Sequence, residues 1–81
     1  MTVTVLFFAQ ARDRAGCSEC VLELPEDSRI SDALARILGA YPGLAPLAPH
    51  LAIAMDGELV PQDTPVRAGA ELAMLPPVSG G

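Results

Sequence analysis

One segment of the 81-residue chain carries a long apolar stripe with helical spacing, and this stripe limits the folds open to the chain. The stripe recurs at i, i+3, i+4, i+7, i+8 and i+11 and comprises Ile30, Ala33, Leu34, Ile37, Leu38 and Tyr41. This spacing predicts one amphipathic α-helix that buries a single face. Ser28 is the predicted N-cap, and Gly39 with Pro42-Gly43 marks the end. A lone helix of this kind must pack on a sheet.

Most other apolar residues alternate with polar ones, as in β-strands. The predicted strands are residues 2–8, 17–24, 51–55, 58–60 and 71–75. Asp56-Gly57 is typical of a two-residue hairpin turn. Residues 9–16 are interpreted as a connection, and residues 44–50 as a loop with one short turn.

The predicted order of elements is therefore β-β-α-β-β-β, an α+β fold in which one main helix packs on one face of a mixed sheet of about five strands. This is the element order of a ubiquitin-like β-grasp. The predicted inward strand residues are Val3, Val5, Phe7, Leu22, Leu72 and Met74. Residues 1–76 are predicted to form the β-grasp domain, and residues 77–81 a flexible C-terminal Gly-Gly tail.

The composition limits the classes of protein and of binding partner that are open to the chain. Hydrophobic residues make up 51% of the chain and charged residues 19%, which excludes a disordered tail. The net charge of −5 argues against binding to nucleic acid and favours binding to basic proteins. The longest apolar run, residues 5–9, is too short to span a membrane and lacks a basic flank. The chain is expected to be soluble and cytoplasmic.

The end of the sequence, Ser79-Gly80-Gly81, is a candidate reactive group. Two glycines form a strip without side chains that ends in a carboxylate, and such a strip can enter a narrow active site. The alternative is an ordinary frayed terminus. The chain also contains no lysine, so no side-chain amine of its own could capture an activated carboxylate.

A second candidate feature is an apolar patch beside the exit of the tail. The alternation of the strands directs Phe8, Leu59 and Leu75 away from the helix. An exposed apolar patch of this kind marks a binding surface. The alternative is that a small, apolar-rich domain leaves a few large residues exposed.

The other reactive side chains form no self-contained active site. Cys17-Ser18-Glu19-Cys20 is a lone CxxC motif, and His50 is the only further soft ligand, so no metal site is expected. Two cysteines also exclude a ferredoxin cluster, which needs four. Because residues three apart in a strand point to opposite faces, Cys17 and Cys20 are interpreted as one loop thiol and one core-facing thiol. His50 is interpreted as a solvated loop residue.

Three segments carry a family resemblance, namely residues 5–12 (VLFFAQAR), 63–65 (DTP) and 75–81 (LPPVSGG). Together they resemble the small, sulfur-carrying subunit of molybdopterin synthase over the whole chain. The sequence departs from the family's pattern at Ala70, where an acidic residue is frequent, and at Met55-Asp56-Gly57, where an asparagine is frequent. Neither departure affects the tail.

The resemblance implies a cycle of reactions at Gly81. An E1-like adenylyltransferase uses ATP to convert the Gly81 carboxylate to an acyl-adenylate, an AMP adduct of the chain. A sulfur donor, such as a cysteine desulfurase or a rhodanese, then yields a thiocarboxylate. The loaded tail enters the active site of the large synthase subunit and donates sulfur to cyclic pyranopterin monophosphate. The chain itself is implied to be a non-catalytic subunit of a heterotetramer of two small and two large subunits, with no permanently bound cofactor.

The resemblance also assigns roles to individual residues. Family members dock on the large subunit through the exposed sheet face near the tail, and the matching positions here are Phe8, Leu59 and Leu75. The residues that match the inserted tail are Pro76, Pro77, Val78, Ser79 and Gly80. Three alternatives remain at the level of sequence: a sulfur carrier for thiamine thiazole synthesis, a ubiquitin-like modifier conjugated to lysines through Gly81, and a plain interaction domain.

Overall fold

The computed structural model describes residues 1–76, which form one mixed sheet and the helices that cover it. The strands are β1 (Thr2–Phe7), β2 (Glu19–Glu23), β3 (Ala52–Met55), β4 (Glu58–Leu59) and β5 (Glu71–Leu75). The helices are α1 (Ala9–Ala15), α2 (Ile30–Ala40) and a 3₁₀ helix (Pro42–His50). Within residues 1–76, no helix has the length and apolar character needed to cross a membrane.

The five strands lie in the order β2-β1-β5-β3-β4. The central pair, β1 and β5, is parallel, and the other neighbouring pairs are antiparallel. A parallel pair requires a crossover connection, which the helices supply. The arrangement confirms the predicted β-grasp with a mixed sheet of five strands.

The inner face of the sheet holds the core, as the alternation predicted. Val5, Leu72 and Met74 are completely buried, and the α2 stripe packs on them through Ile30 and Ile37, which are also completely buried. Leu22, Leu38 and Tyr41 are partly buried against the same core. Burial of each large aliphatic side chain contributes about 1.5–3 kcal/mol, so this face supplies most of the stability.

The β3–β4 turn has the predicted hairpin geometry. Asp56 and Gly57 have φ values of 51° and 87°, the left-handed values that a type I′ turn requires. The Asp56 carboxylate accepts a hydrogen bond from the Glu71 backbone N–H at 2.9 Å and another from Arg67 Nη2 at 2.7 Å. These contacts, led by the Glu71 N–H, lower the pKa of Asp56 below its ordinary value.

The interpretation of residues 9–16 as a plain connection was wrong, because residues 9–15 form α1. Only Ala11 of this helix is buried, so its sequence shows no apolar stripe. Its alanines, glutamine and arginines are nonetheless good helix formers. Gly16 ends the helix with φ 81° and donates its N–H to the Arg12 carbonyl, an ordinary left-handed C-cap.

Two further details of the sequence-based prediction were wrong. Ser28 does not cap α2; its Oγ donates to the Pro25 carbonyl at 2.7 Å. The N-cap is Arg29, whose N–H donates to the Asp32 carboxylate at 2.8 Å. The predicted loop after α2 is a 3₁₀ helix, which rests on α1. A Cβ added at Gly43 would lie 2.5 Å from the Arg14 carbonyl oxygen, so this contact requires glycine.

Candidate functional site

The described chain ends where the predicted site begins. Strand β5 ends at Leu75, and Pro76 follows it as a partly buried residue. The remaining predicted tail residues, Pro77, Val78, Ser79, Gly80 and Gly81, lie outside the described residues. Because β5 is the third of five strands, the chain leaves the sheet from its centre, with strands on both sides.

The outer face of the sheet, opposite α2, carries an apolar row across four strands. The register places Leu6 beside Ala73, Ala73 opposite Ala54, and Ala54 opposite Leu59. These four residues form what we call the apolar row. Ala54 is buried by its neighbours, whereas Leu59 is 65% exposed. The described helices pack on the other face, so the row is open.

The three residues predicted as a patch lie at or beside this row. Leu59 belongs to it, and Leu75 is one alternation nearer the tail, opposite Ala52. Phe8 follows β1, and its N–H donates to the Met74 carbonyl at 3.4 Å, which continues the β1–β5 ladder towards Leu75. Phe8 is 45% exposed. The structure thus brings these residues to the same end of one sheet face.

The centre of the row was not part of the predicted patch. Ala54 and Ala73 are small, and their place between Leu6 and Leu59 follows from the pairing of β5 with β1 and β3. Hydrophobic alternation gives the face of a residue but not its cross-strand neighbour. Prediction of this row therefore required the register between the strands, which the hydrophobic period does not give.

Polar groups replace apolar ones on the same face farther from the tail. In the next row Thr4 pairs with both Val21 and Glu71, and the salt bridge between Asp56 and Arg67 lies at the start of β5. Surface interfaces commonly combine an apolar centre with such a polar rim. Apart from Val21 on the edge strand β2, the exposed large apolar side chains of this face lie nearer the end of β5.

Two surface hollows flank the apolar row. One, of about 250 Å³, lies beside Phe8 and is also lined by Arg12. The other, of about 340 Å³, lies beside Leu59 and is also lined by Ala52 and Pro61. Hollows at the two ends of an apolar row can accept anchoring side chains of a partner protein.

A larger hollow, of about 380 Å³, lies at the start of α2 and is lined by Glu26, Asp27 and Asp32 among others. Two polar side chains of its lining have partners within the chain, since Ser28 Oγ donates to the Pro25 carbonyl and Asp32 accepts the Arg29 N–H. No buried side-chain nitrogen or oxygen in residues 1–76 lacks a hydrogen-bond partner. Nothing about this hollow therefore points to a ligand.

Cys20 faces the core and Cys17 lies in the loop before β2, as predicted, but the expectation that the two point to opposite faces was wrong, because both pack against the core. Both are half-buried and free, and both pack against the core, as Tyr41 does. The neighbouring thiols, led by Cys20, together with burial, raise the pKa of Tyr41 above its ordinary value. Within the described part of the chain, no group of three or more His, Cys, Asp or Glu residues could hold a metal ion. His50 is exposed at the end of the 3₁₀ helix.

Comparison with known proteins relates this geometry to a family. Residues 5–81 match the ThiS family. The chain is 39% identical to the molybdopterin synthase sulfur carrier subunit of Chlamydomonas reinhardtii, over the full length of both chains. Among solved structures, SAMP1 of Haloferax volcanii superposes with a TM-score of 0.90 at 29% identity and full coverage of both chains.

A further solved structure is a complex. It contains subunits 1 and 2 of the molybdopterin-converting factor of Helicobacter pylori, and a chain in it matches with a TM-score of 0.72 at 28% identity, again with full coverage of both chains. The match to the family extends over nearly the whole sequence, including the Gly-Gly end. The chain therefore belongs to the ThiS family and, within it, is similar over its full length to molybdopterin synthase sulfur carrier subunits.

Proposed function

We propose that this chain is the sulfur carrier subunit of a molybdopterin synthase, with Gly81 as its reactive residue. The observation that carries the proposal is the full-length similarity to a sulfur carrier subunit in a chain that ends in Gly80-Gly81. The fold is consistent with this role. The described body presents an open apolar row beside the strand from which the tail departs.

The proposed chemistry begins with activation of a poor electrophile. The Gly81 carboxylate attacks the α-phosphate of ATP in an E1-like enzyme, which forms the acyl-adenylate and releases pyrophosphate. The persulfide sulfur of the donor then displaces AMP and forms an acyl disulfide, and a thiol reductant cleaves its S–S bond to leave a C-terminal thiocarboxylate. Its sulfur is nucleophilic at neutral pH, so it needs no base on this chain.

Sulfur transfer then takes place on the large subunit. The thiocarboxylate sulfur displaces an oxygen substituent from a carbon of cyclic pyranopterin monophosphate, and hydrolysis of the resulting thioester leaves the sulfur on the pterin and restores the Gly81 carboxylate. The residues that act as acids and bases belong to the large subunit. Five residues follow Pro76, and when extended they reach about 16 Å, which is enough to enter a neighbouring subunit. Pro76 and Pro77 restrict the base of the tail and so reduce the entropy lost on insertion.

The proposed docking surface for the large subunit is the apolar row together with Phe8 and Leu75. The described complex of subunits 1 and 2 of a converting factor supports a partner of this kind. Leu59, at 65% exposure, is the side chain of the surface with the most area left to bury. An assembly of two small and two large subunits is part of the proposal.

A second function, protein modification through Gly81, is favoured by the close superposition on SAMP1, a small archaeal modifier protein. In that case the acceptor amine belongs to another protein. This chain has no lysine. Its N-terminal amine donates to the Leu24 carbonyl at 2.6 Å and lies 4.0 Å from the Glu23 carboxylate. A second copy of the chain therefore offers no readily available acceptor.

Intact mass spectrometry tests the carrier proposal. The purified chain is incubated with an E1-like enzyme, ATP, Mg²⁺, a persulfide donor and a thiol reductant. We expect replacement of one oxygen by sulfur, located on Gly81 by fragmentation. The matched control lacks Gly81 but still ends in a glycine carboxylate at Gly80, and we expect it to load poorly. Isopeptide conjugates with other proteins, in the absence of any thiocarboxylate, would instead favour the modifier.

A further inference from the structure

Within residues 1–76 the sheet has two edges, and they differ in length. Strand β2 (Glu19–Glu23) forms one edge and has five residues, whereas β4 (Glu58–Leu59) forms the other and has two. An edge strand presents a row of backbone N–H and C=O groups with which another strand can pair. Strand β2 is therefore the longer template for an added strand.

The hydrogen bonds between β1 and β2 identify the backbone groups that face this edge. The Phe7 N–H donates to the Ser18 carbonyl at 2.9 Å, and the Leu24 N–H donates to the Met1 carbonyl at 2.8 Å. In an antiparallel pair, hydrogen-bonded positions alternate with positions whose backbone groups point away from the partner strand. The residues of β2 whose backbone groups point away from β1 are therefore Glu19, Val21 and Glu23.

Strand β1 confirms this assignment from its other side. Thr4, which is opposite Val21, donates its N–H to the Ala70 carbonyl at 3.0 Å, towards β5 rather than β2. The Gly69 N–H likewise donates to the Thr2 carbonyl at 2.9 Å, on the same side of β1. The backbone N–H and C=O of Val21 thus have no strand beside them within residues 1–76.

The side chains of these three β2 residues determine which strand can pair there. All three are exposed, and Val21, which is 69% exposed, lies between the acids Glu19 and Glu23. The Glu23 carboxylate accepts a hydrogen bond from the Thr2 hydroxyl and lies 4.0 Å from the N-terminal amine, yet its side chain is 74% exposed. Within residues 1–76, Glu19 forms no salt bridge. The edge therefore has an apolar centre with a carboxylate on each side.

These charges disfavour a second copy of the chain and favour a basic partner. If β2 paired antiparallel with β2 of a second copy, centred on Val21, then Glu19 of each chain would lie opposite Glu23 of the other. Like charges directly opposite one another destabilise a strand pair, and opposite charges stabilise it. A strand with basic residues two positions on either side of an apolar one would pair both carboxylates and cover Val21. The net charge of −5 also attracts such a segment.

We propose that the edge of β2 binds an extended basic segment of a partner protein, which joins the sheet as a further strand. The pairing is antiparallel, the more stable arrangement per residue. Backbone hydrogen bonds provide affinity, and the exposed side chains of β2 select a basic-x-apolar-x-basic sequence. Strand β2 lies at the opposite edge from β4, which carries Leu59, so this surface is separate from the proposed anchor for the large subunit. The proposal does not depend on the reaction at Gly81.

NMR titration of the full, isotope-labelled chain with capped heptapeptides tests the proposal. The probe, Thr-Arg-Thr-Val-Thr-Arg-Thr, should shift the backbone amide signals of Glu19, Val21 and Glu23 most and slow their hydrogen exchange. We expect the same peptide with glutamates in place of the arginines to bind about ten-fold more weakly. Glu19→Gln should weaken binding of the basic peptide about three-fold. Leu59→Ser, on the opposite edge, should leave that affinity unchanged.

Backbone methylation of the peptide separates strand pairing from charge attraction alone. An N-methyl group on the central valine removes an N–H that points at β2 and should weaken binding about ten-fold. The same group on an adjacent threonine, whose N–H points away from β2, should have little effect.

Results with the wild-type chain alone can overturn the proposal. Equal affinities for the two methylated peptides, equal affinities for the basic and acidic peptides, no binding in the millimolar range, or shifts centred on Leu59 would each contradict it. So would shifts at Val21 that depend on protein concentration without peptide, because a second copy would then occupy the edge. None of these outcomes involves Gly81, so they are separate from the test of sulfur loading.

Discussion

Apolar residues lie on both faces of the sheet, but the chain buries those of only one face. On the inner face, large aliphatic side chains meet α2 and are completely buried, as at Val5 and Leu72. On the outer face, the apolar row ends in Leu59, of which 65% remains exposed. The chain covers the first face with its own helix and leaves the second open. An apolar surface without an internal partner is the feature that distinguishes a binding face from a core.

The largest expected effect lies on the inner face. Ile37, on the stripe of α2 that covers this face, is completely buried, so Ile37→Ala should reduce the free energy of unfolding by about 2–5 kcal/mol. Urea denaturation measures this loss. The matched substitution on the outer face, Leu59→Ala, should change stability by less than about 1 kcal/mol. Equal losses at the two positions would contradict the distinction between the faces.

The next prediction concerns binding rather than stability. Leu59→Ser should weaken binding of the large subunit about ten-fold or more, because it removes an exposed anchor from the proposed docking surface. Isothermal titration calorimetry measures the affinity. Val21→Ser is the control, since Val21 is 69% exposed on the same face but lies on the edge strand β2. If Val21→Ser weakened binding as much as Leu59→Ser, the docking surface would be misplaced.

Two glycines test how tightly the helices pack on the covered face of the sheet. Gly43→Ala places a Cβ 2.5 Å from the Arg14 carbonyl oxygen, so it should destabilise the domain by about 1–3 kcal/mol through overpacking. At Gly39 the same change meets no atom within 4 Å. Within α2, Gly39→Ala should therefore stabilise by about 0.5–1 kcal/mol. Thermal unfolding of the two variants should shift in opposite directions.

The smallest effect is expected at the exposed Asp56, on the polar side of the outer face. Its pKa is lowered from 3.8 by the Glu71 N–H and by Arg67. The stabilisation is therefore present above the unfolded-state pKa and is lost as pH falls through the lower folded-state pKa. Asp56→Asn should be less stable than wild type at neutral pH, and this difference should disappear in strong acid. A difference that grew on acidification would have the wrong sign.

Most of the fold could be predicted from the sequence, because the spacing of apolar residues determines the type of each element and the face that it buries. The 3.6-residue stripe predicted α2, and alternation predicted the strands and the inward residues such as Val5 and Met74. Helix α1 was missed since it buries only Ala11. A short helix with one buried residue leaves no periodic signal. Propensity alone is a weak indicator at that length.

The candidate site was predictable in part. Leu59 and Leu75 were assigned to the outer face correctly, because a side chain's face follows from alternation. The contribution of Ala54 required the register of three strands, which is a property of the tertiary fold. Cys17 was rightly predicted as a loop thiol, but the face expected for it was wrong, because the turn after Gly16 interrupts the alternation. The reactive role of Gly81 remains a prediction.

The central claim is that the open face docks the large subunit so that a sulfur-loaded Gly81 can react there. A single-turnover experiment with thiocarboxylated protein, large subunit and cyclic pyranopterin monophosphate tests it most directly, with the mass of the small chain followed over time. We expect sulfur to leave Gly81 only when the large subunit and the precursor are both present. Transfer at subsaturating large subunit should be about ten-fold slower or more for loaded Leu59→Ser. Retention of sulfur by the wild-type chain with both present, or equal rates for the variant, would contradict the claim.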